Sequence, residues 1–132
     1  MWAPGAAHTE RESTMAMAMT GEQLVGILRE TIGALVKRDG DDLSARQLAV
    51  FLNCYLKEGA HTVRGLSSDL DISKPAVTRA LDRLCELDLA RRKTDPADRR
   101  SVLVQRTTRG ASYLRELRNV MTAAASPRHA AR

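Results

Sequence analysis

Apolar residues recur at helical spacing along most of this chain and switch to alternation only near its end. From Thr20, the residues Leu24, Ile27, Leu28, Thr31 and Leu35 form one stripe, which Val25, Ile32 and Val36 widen. The spacing predicts a helix, and Thr20 with Gln23 three residues on predicts its capped start. So broad an apolar surface predicts two neighbours, the second being another subunit. Ordinary core packing with a few exposed valines is the competing reading. After a loop at 39–42, Ser44 caps a second predicted helix with Leu48, Phe51, Leu52 and Tyr55 on one face, ending near Gly59. Residues 61–63 read as a short strand. Leu66 and Leu70 mark a short third helix, and Ile72 plugs the angle before the next. Ser73 stands directly before a fourth run in which Val77, Leu81 and Leu84 repeat, with Ala80 beside them. Pro75 falls in its first turn, where the missing N–H costs nothing.

The pattern then changes. Residues 89–94 and 101–107 read as strands, with Val102 and Val104 on one face and Leu103 on the other. Between them, 95–100 is a polar turn with proline near its start. A last helix is expected from 108 to about 125, carrying Leu114, Leu117 and Met121 on one side. Residues 1–19 and 126–132 read as disordered tails, leaving one domain at 20–125. The fold class predicted is mainly α with a small β-hairpin wing: a winged helix-turn-helix with dimerisation helices at both ends.

That order of elements is a device for reading duplex DNA. Lys74, Thr78 and Arg79 are left outward near the N-terminal end of the fourth helix, beside the Ser73 cap and Pro75. Arg79 and Lys74 can donate to guanine O6 and N7, and Thr78 can meet a thymine methyl. Arg83, one turn further on, suits a phosphate. The wing carries Arg99 and Arg100 at its expected tip, where cations suit a narrow minor groove. Asp98 is expected to hold the wing arginines through a charge-assisted hydrogen bond. A solvated basic hairpin beside an ordinary capped helix is the bland reading, and the ordered conjunction of all these features weighs against it.

Composition narrows the function classes. The 132 residues carry a formal charge of +5, and the sequence pI is near 9.8. The excess favours nucleic acid or an anionic membrane as partner. No apolar run reaches membrane-spanning length and no continuous apolar leader opens the chain, so a cytoplasmic, nucleoid-associated protein with no membrane partner is expected. Aromatic residues are too few to form a stacking platform for single strands. Cys54 and Cys85 do not form a Cys-x-x-Cys pair, and His8, His61 and His129 lie far apart, so no metal site is expected. Both thiols read as small buried hydrophobes rather than oxidant sensors. Neither a nucleophile–base pair nor a phosphate-cradling glycine loop is visible, so no catalytic residue, enzyme activity or cofactor is expected. A winged-helix module that binds a protein and has lost operator binding is the alternative function.

The stretch DPADRRSVLVQRTTRG, with Asp98 and Arg100 as a D-x-R pair, resembles the wing of the MarR family, the multiple-antibiotic-resistance type of bacterial transcription regulators. SKPAVTRALDRL is similar to that family's recognition helix, and LSARQLAVF, from Leu43, to the opening of its second helix. The likeness runs from about Thr20 to Met121. It implies a homodimer on a near-palindromic operator, usually repressing a nearby gene, and a small lipophilic or phenolic effector. Three positions depart from the family pattern. Asp88 stands where a glycine commonly closes the recognition helix, and Arg106 stands at an apolar strand position, facing solvent or DNA. The third departure is a chain that lacks a clear sixth helix. The dimer interface is therefore expected on Leu24, Ile27 and Leu28 with Leu114, Leu117 and Met121.

Overall fold

A computed structural model describes residues 19–40 and 42–126. Apart from Met19 and Ser126, the tails expected at 1–19 and 126–132 lie outside the described residues. The helices are α1 (Gly21–Lys37), α2 (Ala45–Leu56), α3 (Val63–Leu70), α4 (Lys74–Glu86) and α5 (Thr108–Ala124). The strands are β1 (His61–Thr62), β2 (Arg91–Asp95) and β3 (Asp98–Gln105), in the sheet order β1-β3-β2 with both pairings antiparallel. The chain divides into two compact units. Of the described residues, one holds those up to Asp39 together with those from Arg118, and the other holds those from Gly40 to Leu117.

In the first unit, α1 begins with a reciprocal capping box. Thr20 Oγ1 accepts from the Gln23 N–H at 3.1 Å, and Gln23 Oε1 accepts from the Thr20 N–H at 2.8 Å. Thr31 is buried and satisfies its hydroxyl on the Ile27 carbonyl at 2.7 Å. Much of the apolar surface is uncovered: Leu24, Val25, Leu28, Ile32 and Val36 are all exposed, as is Met121 near the end of α5.

The second unit is the winged helix. Ser44 and Gln47 make the same reciprocal box at the start of α2. Thr62 ends β1 and caps α3 by accepting from the Gly65 N–H at 3.0 Å. Between α3 and α4, Asp71 takes a left-handed conformation (φ 52°), and Ser67 closes the turn by donating to the Ile72 carbonyl at 2.6 Å. The core gathers Val50, Phe51 and Cys54 of α2, Leu66 of α3, Val77, Leu81 and Leu84 of α4, and Val104 of β3. Phe51 stacks on Tyr55 with ring centroids 4.4 Å apart and meets the edge of Tyr113 of α5 at 5.2 Å.

Both wing strands are shifted from their expected bounds. β2 starts at Arg91, because the Leu89 N–H bonds back to the Leu84 carbonyl and the Leu89 carbonyl accepts from Tyr55 Oη. β3 ends at Gln105, because the Thr107 N–H donates to Tyr55 Oη at 2.9 Å. The turn is also shorter than expected. It closes from Asp95 to Asp98, with Asp95 Oδ1 accepting from the Ala97 N–H at 2.9 Å and Pro96 between them. Arg99 and Arg100 therefore lie in β3 and not in the turn. They fall in a register irregularity: Thr94 pairs with Val102 while the next residue, Asp95, pairs with Asp98.

Candidate nucleic-acid interface

Local chemistry fixes how α4 presents its side chains. Ser73 adopts an extended conformation (φ −66°, ψ 154°) and accepts from the Ala76 N–H at 3.2 Å. Ala76, Val77, Ala80, Leu81 and Leu84 are buried, which turns the other face outward. Ser73, Lys74, Pro75, Thr78 and Arg79 are all exposed and lie in the first half of the helix. These five predicted residues are thus brought together on one surface. Arg83 stands apart from them. It is half-buried and ion-paired with Glu86 at 3.0 Å.

The end of α4 departs from glycine chemistry at little cost. Asp88 holds φ 57°, a left-handed conformation that aspartate tolerates better than most residues. Its carbonyl accepts from Thr107 Oγ1 at 2.6 Å, and its carboxylate faces Arg91 at 3.5 Å.

On the wing, Arg99 and Arg100 are exposed. Asp98 does support Arg100, but by a different bond from the one expected. Its Oδ1 accepts from the Arg100 backbone N–H at 3.0 Å, shaping the chain at the turn rather than gripping a guanidinium. Arg106 is exposed, and its guanidinium is also engaged within the chain. Its guanidinium donates to the Cys54 carbonyl at 2.9 Å and the Lys57 carbonyl at 3.4 Å, and lies 5.7 Å from the Tyr55 ring centroid. It therefore satisfies the free carbonyls at the end of α2, where a cation also complements the helix dipole.

Two arrangements have no signature in the sequence pattern. Arg92 of β2 reaches back to α4: its Nη2 donates to the Thr78 carbonyl at 3.1 Å and pairs with the Asp82 carboxylate. Tyr55 Oη, Thr107 and the Leu89 carbonyl form a buried hydrogen-bond knot, which Gly110 joins by donating its N–H to Thr107 Oγ1 at 2.9 Å. A glycine inside the predicted last helix was the one visible hint of that knot.

The expected dimer residues separate into two groups. Leu24, Leu28 and Met121 are exposed and Ile27 is half-buried. Leu117 is buried within the single chain at 6 % exposure, and Leu114 packs against the core of the winged unit. Those two positions face inward because Tyr113, Leu114 and Leu117 cluster on the covered side of α5. Cys54 is buried as a small hydrophobe, as expected, whereas Cys85 is only half-buried, with its Sγ 3.7 Å from Arg92 Nη1. Burial pushes the Cys54 thiol from the ordinary 9.0 up to about 11, against the lowering influence of Arg106. Burial likewise raises Cys85, with Arg92 opposing and Asp82 assisting.

No helix among the described residues is long and apolar enough to cross a membrane. A family model described as the MarR family matches residues 31–101. No curated protein sequence matches the chain. Among solved structures, a transcriptional regulator from Thermotoga maritima is similar at 22 % identity and TM-score 0.66, over 77 % of this chain and 69 % of that one. The YusO protein from Bacillus subtilis is similar at 21 % identity and TM-score 0.64, over 89 % and 79 %. A MarR transcriptional regulator from Methanosarcina mazei is similar at 23 % identity and TM-score 0.59, over 79 % and 75 %.

Proposed function

This chain belongs to the MarR family and has the winged-helix fold of its transcriptional regulators, and from that premise we propose that it binds duplex DNA sequence-specifically and regulates transcription. The observation that carries the reading is the outward surface of α4. Lys74, Thr78 and Arg79 stand exposed in its first half while Val77, Leu81 and Leu84 anchor the helix from behind. In this reading Ser73 and Pro75 shape the entry of α4 into the major groove, and Lys74, Thr78 and Arg79 meet base edges. Arg83 stays near the backbone. Arg99 and Arg100 approach the minor groove, with Asp98 fixing the strand that carries them.

The active species is a homodimer on a near-palindromic operator, acting in the cytoplasm as a repressor. Support for the dimer comes from Leu24, Leu28 and Ile32 of α1, with Met121 of α5, which leave apolar surface uncovered in the single chain. Family membership supports a binding role over an enzymatic one. It also supports a small lipophilic or phenolic effector. A protein-binding module would have no need of the cationic wing. Selection of binding sites from random duplexes, followed by titration across salt concentrations, tests the proposal. A near-palindromic consensus is expected, with half-sites one helical turn apart, roughly 34–36 Å. Affinity should fall with a log–log salt slope of roughly −0.9 per neutralised phosphate. Retention of no consensus would refute it.

A further inference from the structure

One side chain fastens the wing to the outer face of α4. From β2, Arg92 Nη2 donates to the Thr78 carbonyl at 3.1 Å and pairs with the Asp82 carboxylate, while Nη1 lies 3.7 Å from Cys85 Sγ. Residues 78, 82 and 85 follow one another at four and three positions, so the guanidinium spans a single ridge of the helix. Behind it, the strand partner of Arg92 is Val104, which is buried in the core. Arg92 is therefore held from the strand side as well as from the helix side.

The partner on α4 is unusual for a surface that faces DNA. Asp82 is 57 % exposed, one turn beyond Thr78 on the outward side of the helix. Alone, its carboxylate would repel phosphates. Paired with Arg92, it supplies one half of a brace between two elements that the proposed function sends into different grooves.

We infer that Arg92 is a positioning residue for DNA recognition: through Asp82 and the Thr78 carbonyl it sets the wing hairpin against the reading face of α4, so that both engage the duplex as one body. This rests on the DNA-binding reading above. Arg92 acts within the protein and takes no phosphate of its own. A planar guanidinium fits the task because its donors form a fork that can serve several acceptors at once, which an ammonium cannot match.

A direct phosphate contact would behave in the opposite way, and this makes the inference decidable. If Arg92 gripped a phosphate, Arg92→Gln would lower the salt slope by about 0.9. Asp82→Asn would then tighten binding, since it removes a repelling charge. As a brace, Arg92→Gln leaves the salt slope unchanged and weakens binding roughly three- to fivefold, the upper range for a partly exposed pair. Asp82→Asn weakens binding by a similar factor although it makes the helix more positive. The double variant is no weaker than the weaker single variant, because both remove the same link.

The experiment is a salt titration of the full chain, Arg92→Gln, Arg92→Lys, Asp82→Asn and the double variant on the duplex that the parent selects. Hydrogen exchange of each free protein accompanies it. Expected are the losses above, a partial loss for Arg92→Lys, and faster exchange confined to residues 91–105 in the variants. Undiminished binding by Asp82→Asn, a salt slope lowered by Arg92→Gln, or unaltered exchange at 91–105 would each overturn the inference while leaving the DNA-binding reading intact. A parent chain that selects no duplex would overturn both.

Discussion

A β-carbon added at Gly110 would lie 1.7 Å from Tyr55 Oη and 2.7 Å from the Leu89 carbonyl oxygen. The root of α5 can approach α2 this closely only because position 110 has no side chain. Gly110→Ala should therefore cost about 3 kcal/mol or more, since neither a ring in the core nor a backbone carbonyl can give way freely. Tyr55→Phe should cost about 1–3 kcal/mol by leaving the buried Thr107 N–H without its acceptor. Adding Tyr55→Phe to Gly110→Ala should not restore stability, because the Leu89 carbonyl and the ring carbon at 2.4 Å remain. Urea unfolding of the three variants measures all of this.

Arg79→Ala and Lys74→Ala should relax the selected consensus, each costing about 1–3 kcal/mol on the parent's site if its base contact is bidentate. Arg83→Ala should lower affinity less and evenly across sequences, because its pairing with Glu86 turns it away from the row proposed to read bases. Repeating the site selection with each variant decides this. A consensus unchanged by Arg79→Ala would mean that α4 is oriented differently on DNA.

The bond from Asp98 to the Arg100 N–H makes the wing sensitive to shape rather than to charge at this position. Asp98→Asn keeps an accepting Oδ1 and should bind DNA like the parent. Asp98→Ala should weaken binding about as much as Arg100→Ala does, although it removes no cation. Equal weakening by Asp98→Asn and Asp98→Ala would show that the carboxylate charge is what matters.

Leu28 is 56 % exposed and Leu117 only 6 % exposed, so glutamate at the two sites should have different outcomes. Leu28→Glu should yield a folded monomer with weak operator binding, since buried apolar area, at about 25 cal/mol per Å², drives association. Leu117→Glu should lower the unfolding midpoint instead, because it buries a charge. Sedimentation over a dilution series and a thermal scan separate the two effects. A dimer unaffected by Leu28→Glu would place the interface elsewhere.

The raised Cys54 thiol predicts alkaline weakening of the fold. The folded chain keeps this proton when the unfolded chain has begun to lose it near 9.0. Stability from the neutral buried thiol is thus complete below that pH and is lost as pH rises towards about 11. Cys54→Ala should show a shallower loss across that range in urea midpoints. For the same reason native Cys54 should react with a thiol reagent at pH 8 more slowly than the less buried Cys85.

The helices were legible because their causes are local. Thr20 with Gln23, Ser44, and Ser73 with Pro75 mark starts within four residues of the groups they satisfy. Apolar spacing then shows which side of α4 turns inward. The left-handed turn at Asp88 was readable from aspartate standing in for glycine. What the pattern could not give were bonds between distant residues. Arg106 meets Cys54 across 52 positions and Arg92 meets Asp82 across 10, and nothing near an arginine in the sequence separates a brace from a solvated cation. The wing bounds differ from the expected ones for a related reason. Leu89 and Thr107 look like strand residues, but Tyr55 takes their backbone groups. Leu117 is expected at the dimer interface yet is buried in the single chain, because one apolar row on a helix does not say whether its own chain or a second copy covers it.

In the first turn of α4, Pro75 has no N–H, and the N–H of Ala76 is given to Ser73. Helix starts often seize anions with such groups, and here the cap has already consumed most of that capacity. What α4 can say to a ligand is left to side chains at 74, 78 and 79, none of which supports the fold. The surface proposed to read DNA is thus separable from its scaffold. Substitutions at those three positions can explore new sequences without disturbing the cap, the core or the turn, which is the condition under which a regulator acquires new targets one residue at a time.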